Sequence, residues 1–484
     1  MTDRLKDLSG LATTAVLPTY DRGKLRSGIL HLGPGAFFRA HVAPFTEDAI
    51  AVGGSDWGIE VASLRTADVA DHLNEQNGLY TVLVRDTAAT TAQVIGAVLC
   101  AHVATRDPAA LLERLSDPAI RIVSLTVTEK AYGVDPATGG LDLTHADIAA
   151  DLANPHAPRG AVGYLVEGLS RRRQKGIAPF TPLCCDNLPG NGALLRRLVL
   201  DFAGRVDPAL ARWIEDNVPF PSTMVDRITP ASTDDTYRDA ERLTGRKDLA
   251  AIETEPFTQW VIEDRFANGR PAWDKAGALM VEDVSPYEKM KLRMLNGSHS
   301  LLAYLGFIQG YEFIRDVMDD AALAALARRH MEAAAATLDP VPGIDLDDYA
   351  AQLIARFANR AIAHRTYQIA MDGTQKLPQR LLEPATEALS RGDTAETYAL
   401  AVAAWMRYAV GEDRNGKRYD LRDPRAAEIA ERLRDVPRNG QAVAEALYAL
   451  PGLFPTALRS HAAWKDDVAT KLDILLRNER MLSA

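Results

Sequence analysis

Residues 27–35 read Ser27-Gly28-Ile29-Leu30-His31-Leu32-Gly33-Pro34-Gly35. A short apolar run that ends on two glycines reads as a buried strand closed by a turn. The residues from about Phe38 to Val52 then have a helical pattern. Strand, glycine turn and helix together are the setting in which a dinucleotide is held. Glycine lets the backbone approach a pyrophosphate, and the start of the helix offers unpaired N–H groups. An ordinary strand-to-helix turn has the same appearance, and Phe38 stands where the usual fingerprint has a third glycine.

Further strands follow outward from this turn, at 57–64, 78–85, 92–100, 120–128 and 178–185. Strands separated by helical stretches predict an α/β fold with a largely parallel sheet. Asp68, after the second strand, is the candidate to hold ribose hydroxyls. A capping or surface aspartate fits its position equally. Arg65 could instead take a 2′-phosphate, which leaves NADP open beside NAD. After about residue 280 the apolar spacing becomes helical, at 287–309, 319–337, 346–364, 394–410, 424–435 and 440–450. An α/β domain over 1–280 and a mainly α-helical domain over 281–484 are therefore expected.

The chain has 484 residues and a net charge of -10, with acids and bases mixed along it. That speaks against a nucleic-acid partner, which calls for clustered basic residues. A small anionic substrate needs only a few local cations. Three cysteines and ten scattered histidines, with no CxxC and no HExxH, give no sign of a disulfide framework or a metal site. The N-terminus lacks the pattern of a signal peptide, and no run of about 18 apolar residues is present. A reduced cytoplasmic protein with no membrane partner is expected.

The stretch Glu288-Lys289-Met290-Lys291-Leu292-Arg293-Met294-Leu295-Asn296-Gly297-Ser298-His299 carries chemistry. On an α-helical wheel of about 100° per residue, Glu288, Leu295 and His299 fall within about 80° of Lys291, and Asn296 falls at about 140°. Arg293 falls on the far side. A lysine among apolar side chains loses stabilisation of its charge, so it can accept a proton near neutral pH. An asparagine amide can donate to a developing alkoxide. A surface ion pair between Lys291 and Glu288 is the plainer alternative.

Several long segments resemble the polyol-specific long-chain dehydrogenases, the mannitol dehydrogenase family. They are HLGPGAFFRAH (31–41), RIVSLTVTEKAYG (121–133), CCDNLPGNG (184–192), FPSTMVDRITP (220–230), FTQWVIEDRF (257–266), NGRPAWDK (268–275) and KMKLRMLNGSHS (289–300). The resemblance implies a Rossmann-type N-terminal domain, a helical C-terminal domain, a site in the cleft between them and catalysis without a metal. It implies NAD held by Gly33, Gly35, Phe37, Arg65 and Asp68. It implies Lys291 as general base, Asn187 and Asn296 on the reacting oxygen, and His299 orienting substrate. Glu129, at the end of the strand 120–128, would relay protons, with Glu288 assisting. Asp226 and Lys376 match substrate-contacting positions. A monomer or small homo-oligomer acting on a small sugar acid or polyol is implied.

Two branches of the resemblance compete. Thr128-Glu129-Lys130-Ala131 replaces the TEGG of polyol 2-dehydrogenases, and Gln368 stands where they carry an arginine. The stretch His364–Gly373, continued by Lys376-Leu377-Pro378-Gln379-Arg380, looks like fructuronate reductases (D-mannonate oxidoreductases). Lys130 or Arg365 could then receive a substrate carboxylate. CDNLPGNG looks more like the mannitol branch, so mannitol or arabinitol 2-dehydrogenase is the alternative, with tagaturonate reductase a further one.

Overall fold

Strand β1 (Arg26–Leu32) is followed by β2 (Trp57–Ser63), the antiparallel pair β3 (Tyr80–Arg85) and β4 (Thr90–Ile95), then β5 (Val98–Val103), β6 (Ile122–Leu125) and β7 (Thr181–Cys184). This is a computed structural model, and it describes residues 3–11, 14–135 and 138–477. Five strands form one sheet in the order β5-β2-β1-β6-β7, joined by parallel pairings. Alternate residues of β1 enter two different cores. Ile29 packs with Val61 and Trp260, whereas Leu30 and Leu32 pack with Leu125 and Leu165. A parallel sheet covered on both faces requires such apolar strands. Strand order reverses between β1 and β6, and in such sheets ligands bind beyond the carboxyl ends of the strands at that point.

The helix expected from about Phe38 to Val52 is two helices, α1 (Ala36–Ala40) and α2 (Val42–Gly53), broken at His41. Pro44 explains the break. It has no N–H to give the carbonyl of Ala40, and Arg227 donates to that carbonyl instead. The single strand expected at 92–100 is likewise split, because β4 and β5 belong to different sheets. At the corner, Gly96 and Ala97 donate their N–H groups to the buried carboxylate of Glu47, at 2.7 and 2.8 Å. Two small sheets complete this part. One is β4-β3-β9, with β9 at Ile252–Thr254. The other is β11-β10-β8, with β8 (Thr223–Asp226), β10 (Gln259–Glu263) and β11 (Leu279–Val281). These strands run three to five residues, too short for a two-residue period to stand out in the sequence.

The chain divides into two compact units between Ser285 and Pro286. The second unit is helical. Residues 398–409 of its helix Glu396–Ala409 are all buried. Helices Ser298–Gln309, Ala321–Ala336, Gly440–Tyr448 and Ala462–Leu476 pack around it. An all-round apolar helix is a core helix. The helix expected over 346–364 stops at Phe357. Asn359 Oδ1 accepts from the N–H of Ala361 at 3.0 Å, a local bond that competes with continued helix. Among the described residues no helix is long and apolar enough to cross a membrane.

Candidate active site

In the first unit, the loops that follow β1, β2, β6 and β7 carry Gly33, then Arg65 and Asp68, then Glu129 and Lys130, then Asn187. All four leave the sheet at its carboxyl edge. Gly33 has φ +92°, and a Cβ there would lie 2.3 Å from the carbonyl oxygen of Thr126. Only glycine fits. Gly35 opens α1, and the nearest atom to a Cβ on it would be 3.9 Å away. Phe38 fills the place of a third glycine by turning inward to stack on His31 at 3.9 Å. Phe37 stacks on His41 at 4.8 Å.

His31 fastens this turn. Its Nδ1 lies 2.8 Å from Ser124 Oγ, and its Nε2 lies 2.9 Å from Thr126 Oγ1. Burial pushes its pKa down to about 3, so the ring is neutral. Nothing in the sequence pattern set this histidine apart. Asp68 opens the exposed first turn of α3 (Asp68–Glu75). Arg65 pairs with Asp147 at 2.8 Å.

Strand β6 ends at Leu125, three residues before the expected end. The N–H groups of Val127 and Thr128 turn to the carboxylate of Asp186, at 2.9 and 3.1 Å, and the Tyr132 hydroxyl donates to it at 2.6 Å. Burial raises the Asp186 pKa, and these donors oppose the rise. Glu129 therefore opens a 3₁₀ turn, Glu129–Tyr132, instead of ending a strand. Thr128 before it has φ +74°, an uncommon conformation for a residue with a side chain. Asp186 thus ties the loop of Glu129 and Lys130, both exposed, to the loop of Asn187. Its placement in CCDNLPGNG beside Asn187 was the only available hint of this. Asp226 ends β8 and is buried.

In the second unit, the stretch around Lys291 is not one α-helix. An α-turn over Ser285–Met290 leads into a π-helix, Lys291–Gly297, and then into the α-helix Ser298–Gln309. This corrects the wheel. An i→i+5 helix of about 4.4 residues per turn advances about 82° per residue, so Asn296 lies about 50° from Lys291. Two further α steps bring His299 to about 30° on the other side. The π turn therefore gathers all three onto one face. Lys291 and Asn296 are each 7% exposed and His299 is 8% exposed, so the surface ion-pair alternative for Lys291 fails. Glu288, on the preceding turn, is half-buried.

Arg293, expected on the far side, is buried as well. It makes a bidentate pair with Glu387, 2.7 Å on each arm, and donates to the carbonyl of Thr337. A Cβ on Gly297 would meet His330 Nε2 at 2.9 Å and the carbonyl oxygen of Arg380 at 3.1 Å. His299 stacks on Phe357 at 4.9 Å and meets His364 edge-on at 4.8 Å. Burial, and then the charges of His364, Arg380, Arg356 and Lys376, push its pKa well below the usual value. Lys376 Nζ donates to the carbonyls of Met371 and Ile369, at 2.6 and 3.3 Å.

Residues 27–275 match the mannitol dehydrogenase Rossmann domain, and residues 283–476 match the mannitol dehydrogenase C-terminal domain. The chain belongs to the mannitol dehydrogenase family. It is 47% identical over 451 residues to the D-mannonate oxidoreductase of Escherichia coli (strain K12), covering 92% of each chain. It is 39% identical over 421 residues to a mannitol 2-dehydrogenase of Cereibacter sphaeroides, covering 86% of this chain and 88% of that one. The Pseudomonas fluorescens mannitol 2-dehydrogenase, solved as a ternary complex with NAD and D-mannitol, superposes with a TM-score of 0.87 at 38% identity. That match covers 99% of this chain and 97% of the other. Named relatives of this mannitol dehydrogenase family chain are oxidoreductases.

Two of the expected substrate cations stand away from the lysine face. Arg365 pairs with Glu312 and lies over the ring of Phe313 at 5.2 Å. Lys130 belongs to the first unit's exposed 3₁₀ turn. One group of side chains among the described residues has metal-ligand chemistry, a possibility the scattered histidines of the sequence did not suggest. It comprises Glu60 on β2 with Cys100 and His102 on β5. The carboxylate of Glu60 is already taken, by His102 at 2.8 Å, Ser27 at 2.5 Å and both arms of Arg114 at 2.9 Å. It reads as an ion-pair network along the sheet edge.

The network carries a pH signature. Hydrogen bonds with Cys100 and then with Glu60 push His102 up to about 9. A histidine raised in the folded chain contributes its full stability below its ordinary value and loses it as pH climbs through the raised value. The melting temperature is therefore expected to fall between about pH 7 and 9.5. The His102→Gln variant should show a flatter profile across that range in scanning calorimetry. A wild-type profile equally flat there would refute the assignment.

Proposed function

We propose that the protein is an NAD-dependent oxidoreductase that interconverts a secondary alcohol and a ketone of an open-chain sugar acid, of the D-mannonate and D-fructuronate type. The observation that carries the chemistry is the buried Lys291 on a π turn that turns Asn296 and His299 to its own face. In oxidation the Lys291 amine takes the hydroxyl proton, and in reduction it returns one. The Asn296 amide donates to the oxygen as charge develops on it. Asn187 is the second amide donor, Glu129 the relay of the lysine's proton to solvent with Glu288 assisting, and His299 the group that orients a neighbouring hydroxyl. Asp226 and Lys376 contact substrate.

NAD, when bound, accepts or supplies the hydride. The Gly33 turn, whose first glycine has no room for a side chain, and the open space over Gly35 suit a pyrophosphate at the switch point of the sheet. Phe37 lines that turn. Asp68 is the group for the ribose hydroxyls. The pairing of Arg65 with Asp147 favours NAD over NADP, because the guanidinium is already engaged.

The sugar-acid reading is supported by 47% identity to a D-mannonate oxidoreductase and by the replacement of an arginine with Gln368. CDNLPGNG, together with the solved mannitol 2-dehydrogenase, favours a neutral polyol as the second reading. A substrate panel decides between them. The purified protein should turn over D-mannonate and D-fructuronate at least tenfold more efficiently than D-mannitol and D-fructose, the scale of one good polar contact. The reverse ranking would move it to the polyol branch.

A further inference from the structure

The second unit holds two π segments, and they pack on one another. The second, Pro378–Leu382, brings the carbonyl of Arg380 against Gly297, the last residue of the first. The Arg380 side chain reaches past this contact, and its Nη1 donates to the hydroxyl of Ser300 at 3.2 Å. Ser300 is buried and directly follows His299. Arg380 is thus fixed beside the lysine face by both its backbone and its side chain, through a neutral partner.

The surroundings are cationic. Arg380, Lys376 and Arg356 all act on His299, which burial and these charges keep neutral. Lys376 is held by two backbone carbonyls. The Nε2 of His299 is shielded from solvent and has no hydrogen-bond partner. A buried polar atom without a partner calls for a ligand or a water. Cations gathered around a neutral ring gain little from a polyol, whose hydroxyls carry no charge. They gain much from a carboxylate, which a planar guanidinium binds on two arms.

We infer that Arg380 receives the carboxylate of the sugar-acid substrate, so that the second π segment selects the acid while the first performs the chemistry. This rests on the sugar-acid reading above, and it replaces Lys130 and Arg365 as the carboxylate receptor. Arg380 touches substrate but exchanges no proton with it, so its loss falls on KM before kcat.

The test compares wild type, Arg380→Lys and Arg380→Gln on D-fructuronate, its methyl ester and D-fructose. Removing one partner of a desolvated charge pair should raise the KM for D-fructuronate in Arg380→Gln about a hundredfold. The NADH KM and the efficiency on D-fructose should stay within threefold. Arg380→Lys keeps the charge but loses the fork, and should recover roughly a tenth of the lost affinity. In wild type the methyl ester, which has the same carbon skeleton without the charge, should bind about a hundredfold more weakly than the acid. An Arg380→Gln KM within threefold of wild type, or an ester that binds as well as the acid, overturns this inference and leaves the sugar-acid reading standing. A wild type that prefers D-fructose overturns both. The ester comparison needs no variant, so it decides even if Arg380→Gln fails to fold.

Discussion

Replacing Lys291 with alanine lowers turnover about a thousandfold at neutral pH and leaves dinucleotide binding unchanged, because a positioned general base contributes about 10²–10⁴. The lysine is the one basic group on a face that also carries an amide donor and an imidazole, and it is shielded from solvent. Water cannot take over its role at the same effective concentration. Lys291→Arg should not rescue turnover, because a guanidinium does not give up its proton in this pH range. Single-turnover kinetics, with cofactor titration by fluorescence, separates the two effects. A Lys291→Ala enzyme with near-normal turnover would end the proposal.

Gly33→Ala is the second large effect. Alanine at φ +92° costs about 1–2 kcal/mol in backbone strain. Its Cβ would press on the Thr126 carbonyl at 2.3 Å, and forced overpacking costs about 1–3 kcal/mol more. At about 2–4 °C per kcal/mol for a unit of this size, the melting temperature should fall by about 5–15 °C. The clash would also force apart the ends of β1 and β6 where the dinucleotide is proposed to lie, so NAD affinity should drop more than tenfold. Calorimetry and NAD titration of the variant measure both. Unchanged values would mean that the turn relaxes freely and has no part in binding.

What could be read from the sequence followed from the range of the interactions involved. The strand ending in Gly33-Pro34-Gly35 and the helical periods after residue 280 are local patterns, and they stand in the structure near where they were expected. The corners were missed because distant partners make them. Glu47 turns the chain between β4 and β5, and Arg227 takes the carbonyl that Pro44 leaves open. Asp186 ends β6 early from 60 residues downstream, and only its neighbours in the motif pointed to it. In the site, residue types and spacing identified Lys291, Asn296 and His299 as a group. The α-helical wheel still set Asn296 about 140° from the lysine, because a period computed from sequence assumes α geometry throughout. The burial of Arg293 against Glu387, 94 positions away, lay beyond any local pattern.

The π turn has an evolutionary consequence. Such a turn is an α-helix carrying one surplus residue. Losing a single in-frame codon between Lys291 and Asn296 would restore the ordinary helix and rotate the asparagine and histidine together by about 100°. The amine would stay where it is, its helpers facing elsewhere, in a domain that could still fold. One codon thus separates an ordinary packing helix from one able to move protons.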